Sequence, residues 1–254
     1  MKIDVALVQT KIEWENKEKN IEKLVRTIEK SHNYAELILL AEMSFTGFSM
    51  NVRSTWESNE TLKLISEIAK ENKIAIGFGW VRRNEEKAEN HYTIVDSSGS
   101  VLNDYIKIHS FSYGGEDKEF LAGNKISTFM LNDFKCSSFI CYDLRFPELF
   151  RNDNEDDEVE IFLIPANWPK QRREHWITLL KARAIENQAY VLGINCVGNI
   201  GGVEYSGDSC IVSPEGTVLQ MVTDREGILY ASIKKDDLKI RREFPVLKDK
   251  KIII

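Results

Sequence analysis

Four cysteines occur in 254 residues, and no two of them stand at CxxC spacing. That excludes the signature of a zinc ribbon or a thioredoxin-type redox pair. The four histidines, His32, His91, His109 and His175, fall at no metal-ligand spacing, so neither a metal nor another cofactor is expected. Apolar runs stay below the roughly 18 residues of a membrane-spanning helix. The opening stretch MKIDVALVQTKIEWE carries Asp4, Lys11 and Glu13, which leaves too short an apolar core for an export signal. Basic excess is missing too. Lys and Arg total 34 against 40 Asp and Glu, a formal net charge of -6, whereas a nucleic-acid-binding face needs the opposite balance. Without an export signal, reduced thiols in a cytoplasmic protein are the expectation. No internal repeat or low-complexity linker breaks the chain, so residues 1–254 are expected to form one domain.

What the sequence has is alternation. VALVQT (5–10) is a short apolar run and predicts a buried strand. In NIEKLVRTIEK, Ile21, Leu24, Val25 and Ile28 recur at helical spacing. ELILLAEM (36–43) predicts the next buried strand, Leu64, Ile65 and Ile68 a second helix, and KIAIGFGWV another strand. HYTIVD and VLNDYIKIH flank an SSGS turn, a hairpin signal. FKCSSFIC and IFLIPAN predict strands. The acidic run NDNEDDEVE (152–160) between them reads as a solvated loop. REHWITLLKARAIENQA predicts a long helix, YVLGINCVG a strand, DSCIVSPEGTVLQMV a hairpin about Pro-Glu-Gly, and ILYASI the closing strand. Early βαβ units followed by hairpins predict an α/β fold with mixed sheets covered by helices.

Three predicted strand ends carry reactive side chains. Glu42 closes LILLAEM, Lys107 ends VLNDYIKIH, and Cys141 closes SSFIC just before a turn and Pro147. Sites in layered α/β folds collect at the carboxyl ends of strands. A carboxylate can take a thiol's proton, the thiolate can attack a carbonyl, and an ammonium with a backbone N–H such as that of Tyr142 can hold the oxyanion. A nearby helix start and Lys107 would both favour the thiolate. Each residue also has a plainer reading. A free cysteine at a strand end is commonly core, and Glu and Lys near loops are commonly solvated. By spacing alone, a cysteine-based enzyme and an ordinary core remain equally open.

The motifs LAEMSFTGF around Glu42, YIKIHSF around Lys107, ICYDLRFPELF around Cys141, PANWP (165–169) and ARAIENQAYVLGINCVG (182–198) occur in that order along one chain. Together they resemble the nitrilase superfamily, the carbon–nitrogen hydrolases, over nearly the whole length. The resemblance implies a four-layer αββα sandwich with two mixed β-sheets covered by helices. It also implies assembly into homodimers or larger oligomers. It assigns Glu42 as general base, Lys107 as oxyanion stabiliser and Cys141 as nucleophile, and places Glu116, in YGGEDKEF, where many members carry a second active-site glutamate. Tyr142-Asp143 stand where true nitrilases have Trp-Glu, as in amidases and carbamoyl hydrolases. PANWPKQRREHW followed by LLKARAIENQAYV is similar to the omega-amidase branch, which hydrolyses 2-oxoglutaramate and related omega-monoamides of dicarboxylic acids.

Such a small-molecule substrate carries a distal carboxylate, best met by a guanidinium. Arg172, just beyond Asn167 and Trp168, is the first candidate and Arg173 the second; both would equally suit a solvated helix start. Arg145 is read as a charge holding the turn after Cys141, and Asp143 as structural. Arg183 shares a helical face with Trp176, Leu179 and Leu180 and is read as a structural partner of Glu186. Cys196 follows Asn195 where many omega-amidases have arginine. Strand alternation puts His109 on the face of Lys107, which keeps open a Cys–His hydrolase with His109 as base. A carbamoyl or other aliphatic amide hydrolase and a catalytically silent oligomeric scaffold also remain open.

Overall fold

A computed structural model describes residues 1–151 and 158–249. Strand β1 (Lys2–Gln9) lies inside the first sheet, between two other strands. Its odd side chains Ile3, Val5 and Leu7 belong to the largest core cluster, while Ala6 and Val8 pack into a second one. Both faces are thus covered, which is why the strand reads as a near-continuous apolar run. Helix α1 (Lys17–Ser31) follows, with Leu24 and Ile28 turned to the second cluster. The Asn16 side chain accepts from the Lys19 N–H and caps its start.

The first sheet continues with β2 (Leu37–Leu39), β3 (Ala75–Asn84), β4 (Lys87–Val95) and β5 (Val101–Ile106). Two helices precede β3: the short α2 (Val52–Thr55) and α3 (Glu60–Asn72), whose Ile65 and Ile68 pack beside α1. Helix α4 (Glu116–Glu119) leads into β6 (Phe120–Leu121), which pairs with β4. The second sheet begins with β7 (Thr128–Leu131), β8 (Phe134–Ser138) and β9 (Ile161–Ala166). Helix α5 (Arg173–Asn187) crosses to β10 (Tyr190–Asn195), and β11 (Val197–Ile200), β12 (Val203–Val212) and β13 (Val218–Thr223) complete that sheet. Strand β14 (Gly227–Lys234) returns to the first sheet, and the short α6 (Ile240–Glu243) follows.

The main paths run β14-β1-β2-β3-β4-β5 and β11-β12-β10-β9-β8-β7, each in a seven-stranded sheet. Parallel pairs (β1 with β2, β8 with β9, β9 with β10) and antiparallel pairs (β3 with β4, β10 with β12) make both sheets mixed. The sheets face each other across the large core, with α1 and α3 outside one and α5 outside the other. This is the αββα sandwich that the motifs imply.

Two strands stop earlier than the apolar runs suggest, each short of a candidate site residue. The run 36–43 supplies only Leu37–Leu39. Leu40 N–H still donates to Gly77 O, and Ser44 N–H rejoins at Gly79 O, so residues 41–43 bow out between two anchors on β3. Met43 takes φ +43° in that bow. Similarly, β8 ends at Ser138 instead of Cys141. Cys141 opens a 3₁₀ turn, Cys141–Arg145, and Pro147 starts another at its first position, where its missing N–H costs nothing. Of the acidic run 152–160, residues 152–157 lie outside the described residues.

Candidate active site

The bow after β2 delivers Glu42 into the space between the sheets. Gly79 makes this approach possible, since a Cβ there would lie 2.3 Å from the Met43 nitrogen. The Ser44 hydroxyl accepts from the Gly79 N–H and ties the two segments together. Lys107 comes one residue after β5, and its Nζ lies 2.9 Å from Glu42 Oε1. The same ammonium reaches both oxygens of Glu116, at 3.1 and 2.8 Å. All three side chains are buried. The Phe111 N–H donates to Glu116 Oε2 at 2.6 Å.

Cys141 sits with φ +49° at the head of its turn. The turn is held from within: Asp143 Oδ2 accepts from the Ile140 N–H, and Tyr105 Oη donates to the same oxygen. The first bond of the turn runs from Asp143 N–H to Ile140 O, so the Tyr142 N–H precedes the turn's own ladder. Cys141 and Lys107 both border a cavity of about 310 Å³, within the range of small-molecule sites.

Opposing influences meet at the thiol. Burial first, and then the Glu42 carboxylate, push the Cys141 thiol well above the ordinary thiol range, while Lys107 and the Asn167 N–H pull the other way and lose. Burial would by itself lower Lys107, but Glu116 and then Glu42 outweigh it and hold the ammonium above the usual lysine range.

The other predicted residues are divided by the fold. Asn167 follows β9, borders the cavity and is tied to Glu42. Its N–H donates to Glu42 Oε2 at 2.9 Å, and its Nδ2 to the Glu42 carbonyl at 2.6 Å. Trp168 borders the cavity while its Nε1 donates to Arg172 O. Tyr142 and Arg172 line the cavity as well. Arg173 does not; it heads α5 and pairs with the buried Asp208 at 2.7 Å. Arg145 stands on the cavity wall, its guanidinium 4.6 Å from the Trp168 ring centre, so the turn delivers it to the site as well as bending there. Burial and the neighbouring Arg172 both lower its pKa, which marks a region of concentrated positive charge. Among the described residues no carboxylate pairs with Arg145 or Arg172. Arg183 pairs with Glu186 at 2.9 Å and caps Leu144 O.

His109 does not join Lys107. Beyond the end of β5 strand alternation no longer applies, and the ring stacks on Phe146 with Nδ1 3.0 Å from Asp143 Oδ1. Asn90 was not foreseen. Its Nδ2 contacts Glu42 Oε1 at 2.9 Å and Glu116 Oε1 at 3.0 Å. A signal existed: Asn90 shares the inter-sheet face of β4 with Tyr92 and Ile94, where an amide needs a polar partner.

The fold and this buried thiol–carboxylate–ammonium grouping point to a hydrolase of carbon–nitrogen bonds. The chain matches the Carbon-nitrogen hydrolase family over residues 4–242 and belongs to it. It is a hydrolase acting on carbon–nitrogen bonds other than peptide bonds. It is 32% identical over 98% of both chains to a 2-oxoglutaramate amidase of Bacillus subtilis. It is 33% identical to the omega-amidase YafV of Yersinia enterocolitica, over 97% of this chain and 96% of that one. A CN-hydrolase superfamily protein of Xanthomonas campestris, solved with an arsenic adduct in its active site, superposes with a TM-score of 0.94. The two are 27% identical, over 100% of this chain and 99% of that one.

Proposed function

We propose that this chain is a thiol amidohydrolase of the omega-amidase kind, acting as one catalytic domain over 1–254. Its substrate is a small omega-monoamide of a dicarboxylic acid, of the 2-oxoglutaramate type. The observation that carries the reading is the placement of Cys141 and Lys107 at one cavity whose wall also bears Arg145 and Arg172. The names borne by relatives of nearly equal length support it.

In this reading Glu42 takes the Cys141 proton as the sulfur bonds to the amide carbon. The carbonyl electrons move to oxygen, and Lys107 Nζ and the Tyr142 N–H stabilise that charge. Glu42 returns the proton to the amide nitrogen, the C–N bond breaks, and ammonia leaves a thioester on Cys141. Water then gives a proton to Glu42 and its oxygen to the thioester carbon. The acid departs and the thiol regains its proton. Glu116 holds Lys107 between two carboxylates throughout. With the substrate counted, the first proton transfer leaves the net charge of the site unchanged, which suits a buried site. Arg172, aided by Arg145, meets the distal carboxylate, and Tyr142 and Trp168 border the chain between. Arg173 stays with Asp208.

The test is ammonia release from 2-oxoglutaramate and from valeramide, in the wild type and in Arg172→Ala, Arg145→Ala and Arg173→Ala. Loss of a charge partner should lower kcat/KM for the acid by roughly 2–5 kcal/mol in the first variant and leave valeramide nearly unchanged. Equal losses on both substrates would make the arginine structural. Faster turnover of a carbamoyl compound would favour the alternative of a carbamoyl hydrolase. A homodimer in a reducing cytoplasm completes the proposal; four free, buried cysteines are consistent with it. Light scattering on the eluted protein tests the dimer.

A further inference from the structure

Two buried carboxylates face Lys107, and only one can serve as base. The hydrogen-bond inventory separates them. A carboxylate oxygen accepts through two lone pairs. Glu116 Oε1 accepts from Lys107 and Asn90, and its Oε2 from Lys107 and the Phe111 N–H. All four positions are taken. Glu42 Oε1 likewise accepts from Lys107 and Asn90. Glu42 Oε2 accepts from the Asn167 N–H and retains one position. The Glu42 side chain and the Asn167 N–H both act on the Cys141 thiol, so base and nucleophile are neighbours.

We infer that Asn90 is a positioning residue: by bridging Glu42 and Glu116 it saturates Glu116 and Glu42 Oε1, and leaves Glu42 Oε2 as the one oxygen free to take the Cys141 proton. This rests on the reading of Glu42 as base. The orientation of the amide is dictated by its neighbours, since its oxygen cannot face two carboxylates. Asn90 Oδ1 is left buried without a hydrogen-bond partner among the described residues, a rare condition that the two donations from Nδ2 offset. Lys107 alone cannot fill the same role, because all three of its N–H are engaged with Glu42 and Glu116 and one must leave them to meet the oxyanion. The titratable groups facing Asn90 are Glu42, Lys107 and Glu116, with Cys141 beyond them. His91, Glu89 and Asp104 form a separate cluster on the other side of β4.

The experiment compares wild type with Asn90→Ala, Asn90→Asp and Glu42→Gln, using 2-oxoglutaramate across pH and, separately, the rate of Cys141 alkylation by iodoacetamide. Removing a donor disfavours the ionised carboxylate, so in Asn90→Ala the acid limb of kcat/KM should move to higher pH. We expect kcat to fall about tenfold while KM stays within about twofold, a loss confined to the chemical step. Asn90→Asp, equal in size, should move the limb further by adding a third carboxylate. Alkylation should slow at neutral pH in both. Should the alanine variant fail to fold, Asn90→Ser keeps one donor and should give a smaller shift of the same sign. Folded variants with an unmoved acid limb and wild-type kcat, beside an inactive Glu42→Gln, would overturn the role of Asn90 alone. Wild-type turnover by Glu42→Gln would instead remove the base reading beneath it.

Discussion

Cys141 occupies left-handed backbone space at φ +49°, a conformation that costs a non-glycine residue on the order of 1–2 kcal/mol. The turn that holds it is tied down by Asp143, whose two oxygens together serve Ile140, Tyr105 and His109. Cys141→Ala should therefore keep the fold and its melting temperature to within a few degrees, while ammonia release disappears; surviving activity would sink the proposed mechanism. Iodoacetamide should label Cys141, which opens to the cavity, ahead of Cys136, Cys196 and Cys210, which are fully buried. Because burial and the Glu42 carboxylate raise the thiol's pKa, labelling should accelerate as pH rises through the alkaline range, as mass spectrometry of timed samples would reveal. Lys107→Ala should do more than remove an oxyanion donor, an effect worth about 10²–10³ in kcat. It strands two buried carboxylates, which costs roughly 3–5 kcal/mol of stability, so urea unfolding should show the damage as clearly as kinetics do.

The element that matters most is the bow between β2 and β3. Its two anchors, Leu40 to Gly77 and Ser44 to Gly79, are backbone bonds that leave no slack. Gly79→Ala would drive a Cβ into the Met43 backbone, with Glu42 C also within 2.8 Å. We expect a loss of about 1–3 kcal/mol in stability from the overpacking. We also expect a fall in kcat that exceeds any rise in KM, because Glu42 moves while the cavity wall formed by Trp168 and Arg172 does not. Equal kcat in a stably folded Gly79→Ala would show that the bow tolerates displacement. The apolar run ELILLAEM gave no warning of this break, since leucine and alanine suit a strand and a buried loop alike. Helix α5 was legible in full, because Trp176, Leu180 and Ala184 recur on one face and Gln188 stops it in left-handed space. The same periodicity could not say that Arg173 pairs with Asp208 of β12.

For the whole molecule, stability should be bounded at both ends of the pH scale. Burial pushes Cys210 up to about 12 and raises Cys136, Cys141 and Cys196 as well. The unfolded chain releases these protons near the ordinary thiol range, so their contribution is complete below it and is lost as pH rises beyond. The urea midpoint should fall between pH 7 and pH 10, and fall less in Cys210→Ala. At the acid end, Asp104 is the counterpart. Burial opposes its charge, yet the hydrogen bond and charge of His91 outweigh this and lower its pKa. Its contribution is present above the ordinary carboxylate range and fades as pH drops through and below it, so Asp104→Asn should flatten the acid limb of the stability curve. Sequence by itself determined the alternation of strands and helices, the family, and the presence of Glu42, Lys107 and Cys141 at or just past the ends of apolar runs, because periodicity and motif are local properties. Tertiary structure alone decided which groups meet. Glu42 and Lys107 stand 65 positions apart, Glu42 and Asn167 125 apart. Contacts across such separations depend on how two sheets stack. That stacking brings Asn90 between two carboxylates, sends Arg172 and Arg145 to the cavity and Arg173 away from it, and raises the thiol's pKa by enclosing it.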